Sequence, residues 1–453
     1  MNRNQVDLAT TPVKKLFFTL SIPTITAQIV NMLYNLVDRM YISRIPDVGD
    51  IAFTGVSVCF PIIMFITAFT YLAASGGAPR AAIAQGRGNQ AEAEQIMGNS
   101  FGLLLLFAAI LTPILLFLTT PLLMAFGASD QTVGYGATYL SIYGLGTISV
   151  QLTLGLNTFI TAQGFTRISM KTVLIGAILN IILDPIFIFA LGLGVAGAAL
   201  ATILSQTVSA LWVLRFLTGK QTKWHLRRST MKLRKSVALP SLALGLSPFV
   251  MASTESLVAI NFNTSLLRYG GDIAVGAYGS MASIMQMVMM PLQGLSQGAQ
   301  PIASFNYGAK NPDRVRQSFY LLRKVSVIFS LTIWVLVMLF PEVFVGIFLT
   351  TDEMIAYGAW GIRIYLGVIG LMGLQIACQQ TLMALGDAKT SLFLAALRKI
   401  ILLIPLIYIL PCFLADKDFA VLLAAPVADF LAFTTTFVVF HFRFKKLISP
   451  LEK

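Results

Sequence analysis

The chain has 453 residues, of which 57% are hydrophobic and only 11% charged, with a mean hydropathy of +0.80. Soluble domains carry about 25% charged residues, so there is too little charge here to coat a water-soluble surface of this size, and a multi-pass membrane protein is the class that remains. A net charge of +13 would raise nucleic acid as a partner for a soluble protein, but the placement of the charges argues against one.

The opening MNRNQVDLATTPVKK is a polar leader, and the apolar run behind it continues to about Val37 with no small-residue cleavage site. It reads as a retained first helix rather than a cleaved signal. A spanning helix needs about 20 mostly apolar residues. Twelve such runs, each bounded by Gly, Pro or charge, lie at 16–42, 50–78, 97–121, 135–161, 171–193, 195–218, 238–267, 274–303, 319–341, 357–384, 390–413 and 419–442. They predict an all-α integral membrane protein.

Alternate loops fall on opposite sides of the membrane. With the N-terminus placed inside, 25 of the 32 Lys and Arg residues lie on the inner side, from Arg3, Lys14 and Lys15 through to Arg443 and Lys453. Only Arg39, Arg44, Arg268, Arg363 and Lys417 lie near the outer side, and Arg398 and Lys399 fall within the eleventh span. Lys/Arg excess marks the cytoplasmic side, so the chain is expected in the cytoplasmic (inner) membrane with both termini in the cytoplasm. Cys59, Cys378 and Cys412 all sit in apolar runs. They match no metal spacing and suggest no disulfide framework, and read as buried small hydrophobes.

The tetrapeptide GDIA occurs at Gly49 and again at Gly271, 222 positions later, and the register persists. Pro79 maps to Pro301, Gly86 to Gly308, Asn89 to Asn311 and Gly164 to Gly386, while YGATYLSIY at Tyr135 maps to YGAWGIRIY at Tyr357. Each repeat holds six spans. An even number makes the repeats parallel, related by a pseudo-two-fold axis along the membrane normal, as in many secondary transporters. The expected division is an N-lobe at 1–219, a basic linker at 220–236 and a C-lobe at 237–453, with KQTKWHLRRSTMKLRK in the linker read as an ordinary solvated loop. There is no G-x-x-x-x-G-K-[ST] for nucleotide hydrolysis. GLGVAG at Gly192 fits G-x-G-x-x-G formally but lacks a preceding strand, and reads as a tight turn.

Several segments resemble the multidrug and toxic compound extrusion (MATE) family: NLVDRMYI in the first span, LNIILDPIFIF in the fifth, VAGAALAT opening the sixth, and the paired PRAAIAQGRGN and PIASFNYGAKN turns. The resemblance covers essentially the whole chain. It implies export of amphipathic, often cationic drugs in exchange for H+ or Na+, coupled through an intramembrane acid of the N-lobe.

The charges inside the membrane carry the site reading on their own physics, since each costs about 2.5–3.5 kcal/mol on insertion scales. Asp184 follows Lys171 by 13 residues, about 20 Å of helix, which puts it near mid-membrane. Asn180 shares its face, and Pro185 frees a carbonyl one turn earlier. The three are oxygen ligands for Na+ at Asp184 and Asn180, or a proton site. Asp38 lies nearer the outer end, where an interfacial couple with Arg39 competes with a coupling role; the family pattern places an acid here facing Asp184. Asn35 and Tyr34, one turn below, could line the same cavity. The resemblance also implies that Thr202 supplies a hydroxyl beside the fifth-span acid.

In the C-lobe, Glu255 falls near mid-depth. Family members that bind a cation there usually add an acid in the tenth span, where this chain has Gln375 and Gln379, so Glu255 reads as a ligand for cationic drug. Arg398 and Asp429 reach similar depth and are expected to pair across the last two spans as a structural couple. Tyr278 and Gln286, in the methionine-rich eighth span, are further drug candidates.

The reading is a cation-coupled multidrug antiporter, without a cofactor or catalytic residues, acting as a monomer on small molecules in the bilayer. The alternative is a lipid-linked oligosaccharide flippase of the same superfamily, which would show basic residues for pyrophosphate. A membrane enzyme would need an interfacial His/Asp/Glu cluster, and His225 and His441 lie in basic segments instead.

Overall fold

Apolar runs of membrane length have to be helical, because a helix satisfies its backbone groups internally. The computed structural model of the chain describes residues 7–349 and 351–452; Arg3 and Lys453, two of the inner-side cations, lie outside the described residues. The first half comprises α1 (Val13–Ser43), α2 (Gly49–Gly86), α3 (Gln90–Phe117), α4 (Thr119–Ala125), α5 (Val133–Leu145), α6 (Thr147–Ala162), α7 (Thr166–Pro185) and α8 (Gly194–Thr218). The second comprises α9 (Lys235–Gly308), α10 (Pro312–Leu339), α11 (Pro341–Val345), α12 (Asp352–Tyr365), α13 (Ile369–Ala384), α14 (Ala388–Ala396), α15 (Ile404–Phe413) and α16 (Lys417–Ile448).

Among the described residues, nine helices are long and apolar enough to span, and two bent pairs, α5–α6 and α12–α13, each add one more. The 74-residue α9 breaks at Gly271, whose φ of 66° is non-helical, so it supplies two spans. The architecture is therefore twelve-helical. Large apolar side chains such as Phe117 and Phe413, 82% and 81% exposed, coat the outside as a bilayer requires.

The 222-residue repeat reappears in the backbone. Asn89 and Asn311 both cap their helices, accepting from the N–H of Glu92 and of Arg314. The residues before them, Gly88 and Lys310, both have positive φ, as do Gly164 and Gly386. The bends between α5 and α6 (59°) and between α12 and α13 (44°) also fall at matching places. Gly192 and Gly194, with φ of 65° and 55°, make the GLGVAG turn, a conformation that glycine adopts at little cost.

The halves meet at the end carrying the basic loops. There Gly76 lies so close to Ser241 that a Cβ would stand 1.9 Å from its carbonyl oxygen, and one on Gly245 would stand 2.0 Å from that of Leu72. Gly86 and Gly308 approach Phe305 and Ile83 in the same way. Farther along, Phe249 of α9 packs its ring on Phe69 of α2 at 5.2 Å.

Two expectations need correction. The linker is only in part a solvated loop: Arg227, Arg228, Lys232, Arg234 and Lys235 are exposed, but Trp224 is fully buried, and the Gln163 Oε1 accepts from Thr222 Oγ1 and from the N–H of Lys223 and Trp224. Glu94 likewise takes the His225 N–H, so buried acceptors of the first half hold the linker down. Of the cysteines, Cys59 and Cys378 are buried but Cys412 is exposed.

The first helix is also shared. Leu16, Phe17 and Leu20 are buried in one cluster with Leu295, Leu322, Cys378 and Phe440 of the second half. Thr24 Oγ1 donates to the Gly294 carbonyl at 2.6 Å, and Arg314 donates to the carbonyls of Leu8 and Thr11. Outside the spans, Asp387 caps α14 through Thr390 and pairs with Arg443 at 2.8 Å. Burial pushes its pKa up, but the Arg443 and Thr390 hydrogen bonds outweigh this and hold the carboxyl below its usual range.

Candidate functional site

The first-half site is built where α7 loses its regular ladder. Pro185 ends the α-helical stretch and a π-helical turn follows at Ile186–Ala190, a distortion common at functional sites. Asp184, fully buried, and Asn180, 2% exposed, lie one turn apart. The Asn180 Nδ2 donates to Asp184 Oδ1 at 3.1 Å and to Thr202 Oγ1 of α8 at 3.4 Å. From α1, the half-buried Asp38 is a charged neighbour of Asp184. Its neighbour Arg39 instead lies over the Phe60 ring, 4.6 Å from the centroid. Asp38 Oδ1, Asp184 Oδ2 and Asn180 Oδ1 are all buried without a partner. Three orphaned acceptors around two facing carboxyls form a site that a proton or a small cation would complete.

Tyr34 lies one helical turn before Asp38 on α1, and its neighbour Asn35 donates to the Asn31 carbonyl at 2.7 Å. Tyr139 of α5 is buried and stacks near Tyr143, and Gln206 of α8 buries an unpartnered Oε1. Tyr139 and Gln206 are not among the residues that sequence reasoning singles out. A signal for Tyr139 does exist: at the 222 offset its counterpart is Gly361, so the first half alone places a phenol at this point of a shared motif.

The second-half groups are arranged differently. Arg398 and Lys399 lie in a π-helical segment, Leu397–Leu403, that continues α14. Arg398 Nε stands 2.6 Å from Asp429 Oδ1. Glu255 is not a lone acid: it forms an ion pair with Lys399, whose Nζ also donates to the Met251 carbonyl at 2.7 Å. The Glu255 side chain is nevertheless 68% exposed. Gln379 Nε2 reaches Met251 Sδ at 3.4 Å, and Gln375 buries an unpartnered Oε1. Gln286 is exposed. Tyr278 is displaced from its expected role, because it is 4% exposed, stacked on Phe262 at 4.8 Å and edge-on to Tyr365. It belongs to the second-half core.

A twelve-helix bundle of two repeats, with facing acids buried inside it, belongs to the class of multi-pass secondary transporters. The chain is a member of the MatE family, whose pattern matches residues 23–186 and again 249–409. It is 25% identical over 426 residues to "Multidrug export protein MepA" of Staphylococcus haemolyticus (strain JCSC1435), covering 93% of this chain and 92% of that one. A "FAD transporter" of Shewanella oneidensis is 23% identical, with 88% of each chain covered. Among solved structures, the "MATE multidrug transporter DinF-BH" is 36% identical with a TM-score of 0.90 over 99% of both chains. "MATE in the bent conformation" is 22% identical, with a TM-score of 0.90 over 97% of both chains, a likeness of fold.

Proposed function

We propose that this exporter is an antiporter of the cytoplasmic membrane, both termini cytoplasmic, that moves amphipathic organic cations outward in exchange for H+ or Na+. It acts by alternating access, as a monomer and without a cofactor. The facing carboxyls of Asp38 and Asp184, with their orphaned oxygens, are the observation that supports coupling. A carboxylate only accepts hydrogen bonds, so two neighbouring carboxyls with unpartnered oxygens are stabilised together by taking up a proton or a cation. Asn180 and Thr202 orient the pair. A one-for-one exchange of a monocation for H+ or Na+ moves no net charge, so the ion's concentration gradient drives it, at about 1.4 kcal/mol per tenfold difference. Tyr34, Asn35, Glu255, Gln286, Gln375 and Gln379 are the candidate contacts for the drug. The names of the multidrug relatives agree with this substrate class. A flippase would need free cations for pyrophosphate, whereas Arg398 and Lys399 are engaged by Asp429 and Glu255.

The test is ethidium transport in everted vesicles with H+ and Na+ gradients imposed separately. One gradient should drive uptake, and the ionophore that collapses it should stop uptake. Transport that persists without either gradient would refute antiport.

A further inference from the structure

Away from the span ends, the spans hold four acids in two kinds of setting. Asp184 and Asp429 are buried, and Asp38 is half-buried. Glu255 alone among them combines a mid-membrane position with a largely exposed side chain. Of these acids, Glu255 is therefore the one most accessible to a cationic solute. That carboxylate is already engaged, because Lys399 reaches it from beneath with a side chain only 9% exposed. The Lys399 ammonium is held by a second acceptor, the Met251 carbonyl. Arg398 does not share in this, since Asp429 holds its Nε at 2.6 Å. Lys399 and Arg398 are adjacent in sequence yet both find inward acids, which the widened π-helical turn at Leu397–Leu403 permits.

We infer that Lys399 is a specificity-determining residue, a tethered ammonium that occupies the cation-binding carboxylate of the cleft so that organic monocations bind there by exchange rather than by addition. This rests on the export reading above and deepens it. In a cleft shielded from bulk water, two cations near one carboxylate repel each other appreciably. A monocation must therefore displace Lys399 from Glu255 or bind beside a neutralised pair. A displaced ammonium keeps the Met251 carbonyl. The pair thus lowers affinity for the cargo at the point where cargo must later leave.

The experiment is equilibrium binding of ethidium, a monocation, to the purified full chain in detergent, read by fluorescence anisotropy, with thermal unfolding as the fold control. Lys399→Met should tighten binding by about tenfold, a modest share of the repulsion between charges at this range. Lys399→Arg keeps the charge and should stay near the wild type. Glu255→Gln added to Lys399→Met should remove the gain. The inference is overturned if Lys399→Met is folded and binds ethidium no more tightly than the wild type, or if the gain survives Glu255→Gln. Binding to the wild type but with no response to Lys399 overturns this inference alone. Absence of binding in every folded variant, wild type included, overturns the export reading with it.

Discussion

The two halves share a fold and divide their chemistry. In the first, Asp38 and Asp184 face each other with no base between them and leave oxygens unpartnered. In the second, Glu255 and Asp429 each have a base, Lys399 and Arg398. The repeat does not explain this: at the 222 offset Asp38 corresponds to Ile260, Asp184 to Leu406 and Lys399 to Ala177. Each half placed its charges independently on a common backbone. Acids without bases can change their proton or ion occupancy at modest cost, whereas matched pairs resist titration and fix geometry. The first half therefore suits ion coupling, and the second suits scaffolding and recognition.

That contrast can be broken at four points. The largest effect is expected at Asp184→Asn, which should abolish gradient-driven ethidium efflux from proteoliposomes while leaving the thermal midpoint near the wild-type value; undiminished transport would sink the assignment. Next is Asp429→Asn, which strands Arg398 and should cost about 3–5 kcal/mol. Thermal unfolding of the solubilised protein would show it, and Arg398→Gln on that background should restore most of the loss. Without rescue the two are not a pair.

The glycine contacts between the halves are the third point. Gly245→Val inserts a side chain where even a Cβ would stand 2.0 Å from the Leu72 carbonyl oxygen, an overpacking cost of about 1–3 kcal/mol. Thermal unfolding of the solubilised protein should show the loss; an unchanged midpoint would contradict the contact. The smallest effect is at Asp387→Asn, which should cost about 1–3 kcal/mol at neutral pH. Because the folded carboxyl titrates below its unfolded value, its stabilisation is present above about pH 4 and fades as pH falls through the lower folded pKa. The gap between variant and wild type in unfolding midpoint should narrow accordingly on acidification.

Span number and repeat are readable because hydropathy and glycine register are properties of the chain itself. The depth of Asp184 and its alignment with Asn180 follow from helical geometry, and the structure sets them together with Thr202. What the chain does not reveal depends on rotation of helices about their axes. Tyr278 resembles a cavity residue from its methionine-rich neighbours, yet its face of α9 turns into the core. Lys399 is visible in the sequence only as an intramembrane cation without a partner, because nothing in spacing alone says that the π-helical turn aims it at Glu255. The burial of the linker is not legible because its basic composition resembles that of any solvated loop, while the acceptors that hold it, Gln163 and Glu94, are distant in sequence.

The shared first helix has a consequence for folding cooperativity. Its outer part sets Asp38 against the first half, while Leu16, Phe17 and Leu20 fill the core of the second. Neither half is whole without it. A chain severed in the linker would leave one fragment with an exposed apolar stripe and the other with a vacant groove, so each would be aggregation-prone alone. Co-expressed, the fragments should recover a single melting transition, because the stripe and the groove are complementary parts of one cooperative unit.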